Sequence, residues 1–269
     1  AQRLDQRLPV DAVPVELAEL AESLNDMLAR LEESFKRLSD FSSDLAHELR
    51  TPVSNLMTQT QVALSKTRSS AEYREVLESN CEEFERLSRM ISDMLFLAKS
   101  ENGLIVPGTD SFDLADEVEA LFDFYGALAE ENGVTLRLEG SGQVTGDRLM
   151  LRRAIGNLLS NALRYTPSGG RIVVTVSVVR DSADADTIHL AVENTGEPIP
   201  PEHLSRLFDR FYRVDASRRH SGDGAGLGLA ITRSILRSHG GDIEGRTGKG
   251  CNIFEMWIPT SIVTPRSAD

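Results

Sequence analysis

Leucines recur at every seventh position near the start of the chain: Leu17, Leu24, Leu31, Leu38 and Leu45. Leu20, Met27, Ser34 and Phe41 form a second seven-residue series between them. Apolar a and d positions held over four heptads predict a coiled-coil seam rather than the broader stripe of a globular surface helix. Val10 and Val13 extend it weakly upstream. A second series, Tyr73, Leu77, Asn80, Phe84, Leu87, Ile91, Met94 and Ala98, alternates steps of four and three. In "KTRSSAEY", between the two series, Ser69 and Glu72 have the spacing of a capping box, so a second helix begins near residue 70. The chain thus opens with an antiparallel helical hairpin. Two narrow seams make a poor core, so two hairpins are expected to pair into a four-helix bundle, as a homodimer.

From about residue 110 the periodicity is mixed. "DLADEVEALFDFYGALAEEN" and "GDRLMLRRAIGNLLSNALRYT" predict helices, and "GVTLRLEG", "GRIVVTVSVV" and "TIHLAVEN" predict strands. A third helix is expected from about Gly226 to His239, ended by Gly240 and Gly241. "GGDIEGRT" and "CNIFEMWIP" close as a strand pair. This is an α/β sandwich, with helices on one face of a largely antiparallel sheet.

At 269 residues the chain is long enough for two or three units. A net charge of −13 argues against a nucleic-acid partner, because such modules carry a basic face. Cys81 and Cys251 lie far apart without metal-ligand spacing, which fits a reducing compartment. No apolar stretch approaches the roughly 18–20 residues of a membrane helix, and no signal peptide is evident. The opening "AQRLDQRLPV" lacks an initiating methionine and runs straight into a helix pattern, so the chain reads as a piece of something longer.

Candidate chemistry starts with "DLAHELRTP". With Leu45 at an a position, His47 falls at c, off the seam and toward water. Arg50 and Thr51, three and four residues on, share its face. Pro52 removes a helix hydrogen bond and is expected to bend the helix there. An exposed imidazole beside such a point is a nucleophile open to a large reagent.

Two further stretches suit a nucleotide. In "HSGDGAGLGLAI", Gly222, Gly224, Gly226 and Gly228 alternate between a polar loop and a helix start. This is neither a P-loop nor a dinucleotide fingerprint, but backbone N–H groups there can still hold phosphate. In "NLLSNALRYT", Asn157, Asn161 and Arg164 line one helical stripe, which suits magnesium and a phosphate chain. Arg213, Arg218, Arg219 and His220 form the one locally basic stretch, and residues 213–225 are expected to act as a lid.

Taken in order, these motifs resemble the cytoplasmic part of bacterial two-component sensor histidine kinases. "FSSDLAHELRTP" is similar to the family's H box, "NLLSNALRYT" to its N box, "LFDRFYR" to its F box and "GDGAGLGL" to its G2 box, while "GKGCNIF" occupies the place of the last glycine box. The resemblance implies a dimerising hairpin followed by a Bergerat-type ATP-binding sandwich, like that of Hsp90-like ATPases. It implies autophosphorylation with ATP and magnesium, then transfer to an aspartate of a response regulator, with phosphatase activity toward that regulator. His47 would be the acceptor, Glu48 its base, and Thr51 would orient water, with Arg50 beside them. Adjacent helical residues point about 100° apart, so Glu48 reaches the imidazole only along the helix surface. Asn161 would bind magnesium. Asn157, Arg164 and Arg213 would lie near phosphate and Tyr165 near the nucleotide, with Gly222, Gly224, Gly226, Leu227 and Gly228 in the glycine box.

The family's G1 box reads D-x-G-x-G, its aspartate accepting from the adenine amino group. Here "NTGEP" puts Asn194 in place of the aspartate, keeps Gly196 and puts Pro198 in place of the second glycine. An uncharged amide oxygen accepts the same bond more weakly. The opening segment resembles the end of a HAMP linker, and with "TPVSNLMTQTQVAL" and "SDMLFLA" the subgroup that senses heavy metals, copper or silver. This implies a bacterial inner-membrane protein anchored through a segment upstream of residue 1. The expected segments are 1–35 (HAMP remnant and signalling helix), 36–103 (phosphotransfer hairpin), 108–262 (ATP-binding domain) and 263–269 (tail). Two other readings compete: a dimeric scaffold without useful ATP binding, and an Hsp90-like ATPase, although such enzymes carry a glutamate base where Asn157 stands.

Overall fold

The structure, a computed structural model, describes residues 7–8, 15–180, 186–214 and 225–260. The chain divides into two compact units, Ala1–Leu87 and Ser88–Asp269.

The first unit is built from helix α1 (Val15–Leu64) and the first half of α2 (Ser70–Glu101). The capping box forms as expected: the Ser69 N–H donates to Glu72 Oε2 at 2.8 Å and the Glu72 N–H to Ser69 Oγ at 3.2 Å. The Ser69 N–H and then the Ser69 hydroxyl, both donating to Glu72 Oε2, hold the Glu72 carboxyl below its usual pKa. The α2 series splits into two rows. Asn80 and Leu87, seven apart, are buried, whereas Leu77 and Phe84, also seven apart, are 63% and 59% exposed. On α1, Leu56 and Ala63 are buried seven apart, and Thr60 Oγ1 accepts a 3.3 Å bond from Asn80 Nδ2. The upstream seam stays open, with Leu17, Leu20, Met27 and Leu31 all exposed. Among the described residues, one chain therefore buries only part of its heptad pattern. Among the described residues no helix is long and apolar enough to cross a membrane.

The second unit holds a five-stranded sheet in the order β2-β4-β5-β7-β6: β2 (Thr135–Gly140), β4 (Arg171–Val179), β5 (Thr187–Thr195), β6 (Asp242–Gly248) and β7 (Cys251–Pro259). Among the described residues of this sheet, β2 and β4 pair in parallel and the other neighbours antiparallel. Helices α3 (Leu114–Glu131), α4 (Arg148–Tyr165) and α6 (Gly228–Ser238) supply the rest of the core, burying Val118, Leu151, Ile155, Leu158, Ile231 and Ile235. A two-stranded sheet of β1 (Asp110–Asp113) and β3 (Gln143–Gly146) and a one-turn helix α5 (Pro201–Leu204) complete it. These three short elements lack a hydrophobic period long enough to read in advance.

Asp147 caps α4, its Oδ1 accepting from the Met150 N–H at 3.0 Å. Its own N–H donates to Nε2 of buried His239 at 3.0 Å, while His239 Nδ1 lies 2.8 Å from the Ile235 carbonyl. Only the neutral ring with its proton on Nδ1 satisfies both. Burial accordingly lowers the pKa of His239. Within this same unit, the tail of α2 is tied to α4 and α6. Arg153 pairs with Asp93 and lies 4.7 Å over the Phe96 ring, and Ser234 Oγ donates to Ser100 Oγ at 2.6 Å.

Candidate active site

His47 is exposed on α1, as its c position requires, with Arg50 and Thr51 also exposed and Glu48 half-buried. The helix runs unbroken through Pro52, whose ring is buried. These four polar residues belong to the first unit, and the remaining candidates to the second.

In the second unit the end of α4 meets the end of β5. Asn194 is 2% exposed at the last inward position of β5. Its Nδ2 donates to the Thr195 carbonyl at 3.2 Å and to Thr166 Oγ1 at 3.3 Å. Thr166 Oγ1 in turn donates to the Ala162 carbonyl at 2.6 Å. Gly196 follows in a space no side chain fits comfortably: a Cβ there would lie 3.0 Å from the Tyr165 carbonyl oxygen. The turn after it is held by Asn252, whose Nδ2 donates to the Glu197 carbonyl at 3.0 Å and whose Oδ1 accepts from the Ile199 N–H at 3.2 Å and Thr247 Oγ1 at 2.8 Å. Pro198 thus sits in a turn fixed from the β6–β7 hairpin, and a second glycine is not needed for its anchoring.

Asn157 and α6 come together across 71 residues of sequence: Asn157 Nδ2 donates to the Gly228 carbonyl at 3.0 Å. Its amide therefore fastens the first turn of α6. Asn161, one turn on, is half-buried, and its side chain makes no hydrogen bond to the described residues. Arg164 and Tyr165 are exposed beyond it. Gly226 has φ +71°, and a Cβ on it would come within 2.9 Å of the Phe211 backbone. The Phe211 N–H donates to the Gly226 carbonyl at 3.0 Å, so the end of the F-box segment is pinned to the glycine box. Leu227 is buried and Arg213 half-buried. Gly222 and Gly224, most of the expected 213–225 lid, and Val10 and Val13 lie outside the described residues.

Sequence reasoning missed Thr166, Thr247 and Asn252. A signal for Asn252 exists: in β7 it stands where the inward alternation otherwise places Phe254, Met256 and Ile258.

The donor set fits a nucleotide that brings its own magnesium. Among the described residues no group of three His, Cys, Asp or Glu side chains is placed to hold a metal ion. Magnesium favours one or two protein oxygens plus phosphates and water, and the carboxamide of Asn161, which bonds none of the described residues, would supply one such oxygen.

Three families match along the chain: the HAMP domain over residues 1–33, the His Kinase A (phospho-acceptor) domain over 37–103, and the histidine kinase-, DNA gyrase B-, and HSP90-like ATPase over 146–262. The chain belongs to the sensor histidine kinases. It is 54% identical over 257 residues to the sensor histidine kinase CusS of Escherichia coli (strain K12), covering 95% of this chain and 52% of that protein. It is 45% identical over 264 residues to the probable sensor kinase SilS of Salmonella typhimurium, covering 96% and 52%. The chain therefore spans about half the length of these curated relatives. In fold it is similar to the histidine kinase AdeS of Acinetobacter baumannii, with TM-score 0.64 and 24% identity over 81% of this chain and 98% of that one. A structure of histidine kinase ThkA in complex with response regulator protein TrrA aligns with TM-score 0.69 and 20% identity, over 87% and 65%.

Proposed function

We propose that this sensor histidine kinase chain acts as a dimer that phosphorylates His47 from ATP and passes the phosphoryl group to an aspartate of a response regulator. The observation that carries the reading is an exposed His47 on a dimerising hairpin together with a site whose Asn194, Asn157 and glycine turns are already organised. An imidazole nitrogen of His47 attacks the γ-phosphorus as the bond to the bridging oxygen breaks, and ADP leaves. Glu48 takes up the proton released from the ring, lying along the helix surface to reach it. Asn194 and Tyr165 hold the base, and Gly196 keeps the approach open. Arg164 and Arg213 face phosphate, with the backbone of Gly226, Leu227 and Gly228 along the phosphate chain. Asn161 would hold a magnesium ion, which when bound would supply positive charge to the phosphate oxygens. Asn157 acts by fixing the start of α6. In the reverse task Thr51, four residues beyond His47, orients a water against the phosphorylated regulator, with Arg50 as a neighbouring charge. The subgroup reading, a copper- or silver-responsive sensor anchored in the bacterial inner membrane upstream of this chain, is supported by the opening segment and by the relatives.

Incubation with magnesium and γ-labelled ATP tests this. The label should survive alkali, be lost in acid and be absent from His47→Ala. Label that persists in His47→Ala would overturn the acceptor, and ATP bound without labelling would leave a nucleotide-binding scaffold instead.

A further inference from the structure

We infer that Thr166 is a positioning residue that makes this site take adenine rather than a 6-oxopurine. The inference rests on the reading of Asn194 as the base-recognising residue, and it answers a question that the asparagine itself raises. A carboxylate offers only acceptors. An amide has two ends of nearly equal shape, and a half-turn exchanges an acceptor for a donor. A free asparagine would therefore suit the 6-amino group of adenine in one orientation and a 6-oxo group in the other.

The surroundings of Asn194 remove that freedom. One neighbour of its Nδ2 is the Thr195 carbonyl at 3.2 Å, which can only accept. The other is Thr166 Oγ1 at 3.3 Å. The Thr166 hydroxyl proton is committed to the Ala162 carbonyl at 2.6 Å, one turn back on α4, so Oγ1 has only lone pairs to offer Asn194. Both neighbours are acceptors, and the flipped amide would set its oxygen against two oxygens. Thr166 is 8% exposed and Asn194 2% exposed, so water is a poor substitute for either bond.

Oδ1 must then face the other way. It accepts from no described residue. Nor is it among the enclosed side-chain atoms without a partner, which among the described residues are Arg68 Nε, Asn80 Oδ1 and Glu117 Oε2. It is an open acceptor in a buried residue. The 6-amino group of adenine can donate to it. A 6-oxo group would oppose oxygen to oxygen. A threonine at the end of α4 thereby supplies the polarity that an aspartate would carry by charge.

The test compares equilibrium binding of ATP and inosine triphosphate, which differ at the 6-position, to the 269-residue chain with magnesium. The unmodified chain should prefer ATP by about tenfold or more, the scale of one mismatched buried hydrogen bond. Thr166→Ser should keep that preference within about twofold, since it retains the hydroxyl. Thr166→Val should reduce it to about threefold or less, mainly by gaining affinity for inosine triphosphate. Thr166→Ala gives the same readout should valine not be accommodated. The ratio is taken within each variant, so a general loss of stability does not move it. An undiminished preference in both hydroxyl-free variants would overturn the role of Thr166, as would equal binding of the two nucleotides by the unmodified chain. If the unmodified chain bound neither, the reading of the site itself would fall instead.

Discussion

Asn194 and Asn252 are register partners at the adjoining ends of β5 and β7. The pairs before them, Ile188 with Ile258, Leu190 with Met256 and Val192 with Phe254, are apolar and continue the same inward rows. The core thus ends in a polar pair, and the two amides divide the work. Asn252 uses both ends of its side chain to hold residues 197 and 199. Asn194 is held by one end and offers the other.

That division predicts that Asn252→Leu weakens ATP binding without removing any group that touches the nucleotide. Leucine continues the apolar row but leaves the Glu197 carbonyl without its donor, removes the acceptor of the Thr247 hydroxyl, and leaves the Ile199 N–H to Thr247 Oγ1 alone, at 3.1 Å. A loss of about 1–3 kcal/mol in stability is expected, read by urea unfolding, with a several-fold fall in ATP affinity read by calorimetry. Unchanged affinity would mean that the turn does not shape the base site.

The same pair shows what sequence can and cannot carry. The hairpin and the long strands were legible because each repeats a period several times, and the capping box because Ser69 and Glu72 stand at its fixed spacing. Asn194 was legible from its motif. Asn252 and Thr166 were not, because their roles depend on partners 55 and 28 residues away. Asn157 stood out in the sequence as a candidate, but its bond to Gly228 across 71 residues was not legible. The short β1, β3 and α5 were missed because four residues hold no period.

Asn157→Asp should impair phosphorylation of His47 although the change is nearly isosteric. The native Nδ2 donates to the Gly228 carbonyl, and a carboxylate would face that oxygen without a proton to give. A fall of about tenfold or more in the rate of labelling is expected, with circular dichroism unchanged. Steady-state phosphate release by His47→Ala should stay low, since no carboxylate base stands at Asn157; appreciable release would favour an Hsp90-like ATPase.

The neutral, buried His239 makes the second unit sensitive to acid. Its folded pKa is lowered, chiefly by burial, so below about 6.5, the ordinary value for histidine, the unfolded chain binds the proton more readily. Stability should be constant above that pH and fall as pH drops through it toward the folded pKa. His239→Gln should flatten this dependence while lowering stability at neutral pH. Gly146→Ala probes the same contact sterically: its Cβ would lie 2.8 Å from His239 Cδ2 and 3.1 Å from Leu151 Cδ1, which should cost about 1–3 kcal/mol. Thermal melts between pH 5 and 8 check all three expectations.

The hairpin carries the remaining prediction. Leu77 and Phe84 form an exposed row on α2, and Cys81 lies on the same exposed face, three residues before Phe84. Substituting glutamate at Leu77 and Phe84 together should convert the dimer to monomers in sedimentation. It should leave ATP binding by the second unit intact. Asn80, on the buried row, behaves differently. Its Oδ1 is enclosed without a partner while its Nδ2 reaches Thr60 at 3.3 Å. Replacing it by leucine should raise stability by about 1–3 kcal/mol, because an unsatisfied buried acceptor is removed. A polar residue in a helical seam restricts register and partner number, so the Asn80→Leu hairpin should also populate species larger than a dimer. A variant that is less stable and strictly dimeric would show instead that Asn80 finds its missing donor in the assembled bundle.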